Sequence, residues 1–145
     1  DICDKRRIMK IKNIFDIAGR AMAAQMVRLN TISSNLANAG ATTGDPETVY
    51  KPLKPEFKTQ YSENVKKNGI STVNVSKVVE LQKEPFKIFD PNHPLADGDG
   101  YIYKAPINVE EEMVDMMDAS RQYQNNIEVV TTLKALTLKT INLGK

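Results

Sequence analysis

Ser33-Ser34-Asn35-Leu36-Ala37-Asn38-Ala39-Gly40 is the stretch whose reading decides the fold. It closes a segment in which Phe15, Ala18, Met22, Gln25, Leu29, Ile32, Leu36 and Ala39 follow a 3-4-3-4 spacing. Seven of these eight positions are apolar, which is the pattern of a helical seam that packs on another helix. The spacing predicts a helix over residues 13–39, with Asn13 as its cap, Asp16 in the first turn and Gly40 as its stop. Residues 1–12 would precede the cap as a partly mobile extension. Asn35 and Asn38 flank the seam residue Leu36, where a polar amide either frays the helix or fixes register against a neighbour.

A second seam closes the chain. Pro106-Ile107-Asn108 opens it, with Asn108 as N-cap and Glu111 three residues on as the partner of a capping box. Val109, Met113, Met116, Ser120, Tyr123, Ile127 and Val130 repeat the 3-4 spacing, and six of the seven are apolar. The apolar set then widens to Leu133, Leu136, Leu138, Ile141 and Leu143. A lone amphipathic helix cannot bury its own stripe, so the two seams should pair. The widened C-terminal face is too broad for one partner, and such faces mark interfaces.

All seven prolines lie between Gly40 and Pro106, so punctuation alone divides the chain into helix (13–39), irregular middle (40–106) and helix (107–145). The expected class is mainly α with a small β insert, the long terminal helices pairing as an α-helical coiled coil in one assembly domain. Within the middle, Val73, Val75, Lys77, Val79 and Leu81 alternate with polar neighbours as a half-buried strand would. Shorter strands are expected at Thr48–Lys51, Glu56–Gln60, Phe86–Phe89 and Tyr101–Tyr103, with turns at Asn68-Gly69 and Asp97-Gly98-Asp99-Gly100. Residues 40–57, with three prolines, could instead run extended along a neighbour.

The formal net charge is +2, unevenly spread. Residues 1–39 hold seven basic and three acidic side chains, residues 40–106 nine of each, and residues 107–145 four basic and six acidic. Opposite signs on the two helices suit their pairing, and the basic excess is too small for nucleic acid to be the main partner. No run approaches the ~18 apolar residues of a membrane span, so no membrane insertion is expected. Asp16 and Arg20 interrupt any candidate for a secretory signal. Cys3 is alone and gives no disulfide framework.

No catalytic, metal or cofactor site is expected. His93 has no ligand partner at zinc spacing, and the run from Asp97 lacks the glycine and glutamate of a calcium loop. Glu110, Glu111, Glu112, Asp115 and Asp118 read as the acidic start of a helix. The residues expected to carry function are therefore assembly contacts: Phe15, Met22, Leu29, Ile32, Asn35, Leu36 and Asn38 on the first helix. On the second they are Met113, Met116, Tyr123, Ile127, Val130, Leu133, Leu136 and Ile141.

Four ordered motifs carry a family resemblance. Ser34-Asn35-Leu36-Ala37-Asn38-Ala39, with Asn13-Ile14-Phe15-Asp16-Ile17-Ala18-Gly19 and Arg28-Leu29-Asn30 upstream, resembles the N-terminal signature of flagellar rod, hook and related axial proteins. Asn92-His93-Pro94-Leu95-Ala96-Asp97 with Gly100-Tyr101 follows, then Pro106-Ile107-Asn108-Val109. Glu112-Met113-Val114, Ala119-Ser120-Arg121-Gln122-Tyr123-Gln124 and Asn126-Ile127-Glu128-Val129 complete the set. Within that axial family the ordered set is most similar to the proximal-rod proteins. The resemblance implies a non-enzymatic subunit of the rod crossing the periplasm. It further implies partners in its own copies and in other rod subunits, proximal and distal, in a basal-body adaptor protein and at the MS-ring and export-gate side. Export without a cleaved signal through the flagellar type III apparatus is implied too. So is a tube whose inner wall is built from paired terminal helices. The resemblance implies a start just ahead of the Asn13 motif, which makes Met9 a natural first residue and Asp1 to Ile8 either an extension or a misplaced start. Rival readings are another axial subunit, such as a second proximal-rod protein, and a free coiled-coil adaptor; the Asn92–Tyr101 motif and the short insert argue against hook and distal-rod proteins, which have larger middles.

Overall fold

The computed structural model describes residues 2–60 and 72–143. Two long helices dominate it: α1, Ile2–Asn38, and α2, Val109–Leu143. At 1.5 Å per residue they span about 55 and 52 Å. Helix α1 starts earlier than the Asn13 cap predicts, and Asn13 sits inside it. The reason lies in the composition of residues 2–12, which hold no glycine or proline and are rich in helix-favouring Lys, Arg and Met.

Asn108 does cap α2. Its side-chain oxygen accepts from the backbone N–H of Glu110 at 3.1 Å and of Glu111 at 3.4 Å. At the other junction α1 ends in a tight turn, with Ala39 N–H on the Leu36 carbonyl and Ala41 N–H on that of Asn38. Gly40 keeps a negative φ, so the expected left-handed glycine stop is not used; the only positive-φ glycine among the described residues is Gly100.

The helices run antiparallel. As contacts step from residue 35 through 28 to 25 in α1, their partners step from 112 through 115 and 118 to 122 in α2. Between them lie two small antiparallel sheets. One is a three-stranded sheet in the order β1 (Thr42–Thr43), β5 (Tyr101–Lys104), β4 (Phe86–Phe89). The other is the hairpin of β2 (Leu53–Gln60) and β3 (Thr72–Glu80). The hairpin lies along α1. Its register slips between Glu56 and Phe57, leaving Ser76 as the extra residue of a bulge that breaks the alternation the sequence suggests. Val73 and Val78 are exposed, while Val75, Val79 and Leu81 are half-buried.

Thr48–Lys51 is no strand. Asp45 caps a 3₁₀ turn at Pro46–Thr48 instead, its carboxylate accepting from Glu47 N–H at 2.9 Å. Residues 40–57 fold back onto the chain: β1 pairs with β5, and Val49 is buried. The expected Asn68-Gly69 turn lies outside the described residues.

The core is small. Ala39, Val49, Ala105 and Ile107 form one buried cluster at the helix junction, with Tyr50 and Tyr103 packed against it. The loop from Asp90 to Gly100 is held by Asp97, whose carboxylate accepts from the N–H groups of Asp99 and Tyr101 and from the Tyr103 hydroxyl. The Tyr101 N–H bond is the chief reason the Asp97 carboxyl is lowered from its ordinary range. Gly100 has φ +81°, and a Cβ there would press on Pro91 at 3.1 Å and Phe89 at 3.2 Å.

Candidate functional site

The site with the highest density of polar contacts is the junction where the end of α1, the start of β2 and the start of α2 meet. Asn35 stands at its centre and is only 2% exposed. Its side-chain oxygen accepts from Leu53 N–H at 2.8 Å and from the Tyr50 hydroxyl at 3.2 Å. Its amide nitrogen donates to the Leu53 carbonyl at 3.0 Å and to the Glu112 carboxylate at 3.2 Å. A side-chain amide has two donors and two acceptor positions, so the hydrogen-bonding capacity of Asn35 is full within the chain. Asn38 likewise turns inward, donating to the Ser34 carbonyl one turn earlier at 2.8 Å. Burial pushes the Tyr50 phenol up from 10.0, with the Glu112 and Glu80 carboxylates adding to it. That keeps it a neutral donor to Asn35.

A ladder of polar contacts continues along the helix pair. Arg28 forks between Asp115 and Asp118, one helical turn apart, at 3.1 Å each. Gln122 donates to Asp118 at 3.0 Å and accepts from Gln25 at 2.9 Å. The Gln25 side-chain oxygen is buried without a partner among the described residues. Between these struts the helices approach closely at Ala119, which is fully buried, and at Ala24.

The seam residues divide into two groups. On α1, Ile32 is buried and Phe15, Met22, Leu29 and Leu36 are half-buried. On α2 the inward stripe is Glu112, Met116, Ala119, Tyr123, Asn126, Val130, Leu133 and Thr137, a 3-4 repeat offset by one residue from part of the expected seam. Met116, Tyr123, Val130 and Leu133 therefore fall on it, whereas Met113, Ile127 and Leu136 do not; these three and Ile141 are exposed. At 100° per residue, Met113, Ile127 and Leu138 fall on one flank of α2, Met117 and Val114 on the side away from α1, and Val129, Leu136 and Leu143 on the other flank. Val114 and Met117 are 65% exposed. Three threonines of this half, Thr131, Thr137 and Thr140, turn their hydroxyls onto carbonyls one turn back.

Arg28, Asp115, Asp118, Gln25 and Gln122 were not among the sequence-predicted contacts. Their signal was the opposite charge of the two terminal segments, which does not say which residues meet. Glu112 reads in sequence as helix-dipole charge, a role that hides its bond to Asn35.

A cleft of about 410 Å³ opens beside the junction, lined by Arg28, Lys54 and Lys83 and by Glu111, Glu112 and Asp115. Among the described residues no group of three or more His, Cys, Asp or Glu side chains could hold a metal ion. The ring nitrogen Nδ1 of His93 accepts from Leu95 N–H at 3.1 Å and serves the loop. The arrangement is one of struts that fix elements to each other.

Two family models match the chain, and their matches fall on the paired helices. Residues 15–44 match "Flagella basal body rod protein", and residues 99–143 match "Flagellar basal body rod FlgEFG protein C-terminal". The flagellar basal-body rod protein FlgC of Salmonella typhimurium is 43% identical over 137 residues, covering 94% of this chain and all of the relative. The chain belongs to the FlgC family of flagellar basal-body rod proteins. The FlgC proteins of Escherichia coli O6:H1 and Yersinia enterocolitica agree at 42% and 39% identity over the same shares. The FlgC-family likeness thus extends through the sheets between the two matched helices. It takes in Tyr50, Leu53 and the loop around Asp97 along with Asn35 and Arg28.

Proposed function

We propose that this FlgC-family chain is a non-enzymatic structural subunit of the flagellar basal-body rod. It sits in the proximal part, where it polymerises with its own copies and with other rod subunits. The observation that carries the reading is the surface of α2. Its inward stripe meets α1, yet apolar residues cover a flank and the outer side as well. Exposed apolar residues beyond the stripe that one partner helix covers mark a surface for further neighbours. In an open-ended helical polymer each copy presents one surface to the next copy's different surface, so such a helix gains neighbours on more than one side.

In this reading α1 and α2 form the coiled-coil-like wall element of a tube, and the sheets between them lie on its outside. Torque passes through the wall, and exported subunits pass through its bore. The assembly contacts are the exposed α2 residues Met113, Ile127, Leu136 and Ile141, joined by Val114, Met117 and Leu138. Phe15, Met22, Leu29, Ile32, Leu36, Met116, Tyr123, Val130 and Leu133 support the wall by holding the pair together. The further partners are distal-rod subunits, a basal-body adaptor protein and the MS-ring and export-gate side. The chain reaches the periplasmic rod through the flagellar type III apparatus. No nucleic acid and no membrane insertion enter this reading; no helix among the described residues is long and apolar enough to cross a membrane.

The test is the double variant Met117→Asp/Leu136→Asp, expressed in a non-motile strain lacking the rod protein. The purified variant should keep the circular dichroism and melting temperature of the parent, be missing from isolated basal bodies, and fail to restore swimming. Normal incorporation and swimming would refute the assignment of the α2 surface.

A further inference from the structure

We propose that Asn35 is a three-way latch that makes ordering of the β2–β3 hairpin conditional on the pairing of α1 with α2. A two-stranded ribbon is marginal alone in water, and this one keeps Phe57, Val73 and Val78 exposed. Its stability must come from what holds its base. There Leu81 N–H donates to the Pro52 carbonyl at 2.8 Å, and Leu53 faces Glu80 across the ladder. The outward N–H and C=O of Leu53 are both taken by the Asn35 amide, which stands where a third strand would.

The same amide reaches α2. Its nitrogen is shared between the Leu53 carbonyl and the Glu112 carboxylate, and Glu112 lies in the first turn of α2. With α2 undocked, the carboxylate that fixes the amide rotamer is gone and the side chain is no longer walled in. With the hairpin undocked, the Asn35 oxygen loses the Leu53 donor. A buried polar group that loses one of its partners costs more than the bond itself contributed, so each arm favours the others. Residues 35, 53 and 112 are well separated in sequence, so the latch closes only when the last arm is present. The hairpin then becomes ordered in a chain whose two helices are already paired, and an incompletely folded chain presents no rigid hairpin.

Hydrogen exchange on the full chain tests the latch with three variants. Asn35→Ala should speed exchange at the hairpin amides, Leu53 to Lys58 and Val75 to Leu81, at least tenfold. Mid-helix amides around Ala24 and Tyr123 should change less than threefold. Glu112→Ala should also speed hairpin exchange several-fold, although among the described residues no hydrogen bond joins Glu112 to the hairpin. Glu112→Gln keeps an acceptor oxygen and should behave as the parent. If Asn35→Ala does not fold, the two Glu112 variants decide alone. Unchanged hairpin protection in Glu112→Ala, or an equal rise at every amide, would overturn the proposal.

Discussion

Helices α1 and α2 carry the same 3-4 apolar spacing and nearly the same length, yet they are buried very differently. Ala18, Ala24, Thr31, Ile32 and Asn35 are buried on α1, because α2 and the hairpin both lie against it. On α2 only Ala119 is buried. Its remaining apolar residues reach an exposure of 88% at Leu143. The contrast teaches that a shared seam pattern does not imply a shared task. Helix α1 is the helix around which the chain folds, and α2 offers one face to that fold and, in the proposed rod, the others to neighbours.

The contrast can be broken most strongly at Asn35. Asn35→Ala strands Leu53 N–H, the Leu53 carbonyl and the Tyr50 hydroxyl, and should cost about 2–4 kcal/mol in chemical denaturation. Ala119→Leu forces extra volume into a fully buried site on α2, and about 1–3 kcal/mol should be lost. Arg28→Ala opens a partly exposed ion-pair fork, for which a loss near 1 kcal/mol, shrinking in high salt, is expected. Gly19→Ala should work in the other direction. Gly19 lies in the interior of α1 with open space around a new Cβ, so the change should stabilise by about 0.5–1 kcal/mol. No measurable gain would mean that α1 does not run unbroken through this position.

Acid and alkali sharpen the comparison further. The Asp97 carboxyl is lowered in the fold, so its contribution is present above the ordinary carboxylate range and fades as pH falls through the folded value. Asp97→Asn should flatten that acid limb without altering the helices. The Tyr50 phenol is raised, so its contribution is present below about pH 10 and fades as pH rises beyond. Asn35→Ala should weaken the alkaline limb, since the hydroxyl then has no acceptor at Asn35.

The helix–middle–helix division was legible from proline placement alone, and Phe86–Phe89 is a strand where its flanking turns place it. What was not legible depended on contacts distant in sequence. The pairing of Thr42–Thr43 with Tyr103 and Lys104 has no local signature, and the bulge at Ser76 reverses a parity that the alternation alone could not show. The helix seam was read one residue out of phase in part of α2. Glu112 and Asn126 are polar, and Ala119 is too small to weigh in a hydrophobic pattern, yet all three face inward. Asn35 was singled out by its odd place beside the seam, but a sequence does not say whether such an amide serves its own chain or a neighbour.

Oxidative footprinting of the methionines tests the division of labour between the helices most directly. Met113 and Met117 lie on the outer flank of α2, and Met22 is half-buried against the pair. In the isolated chain Met113 and Met117 should oxidise much faster than Met22. In purified basal bodies their rates should fall at least tenfold, with Met22 little changed. Equal oxidation of Met113 and Met117 in the isolated and assembled states would contradict the account.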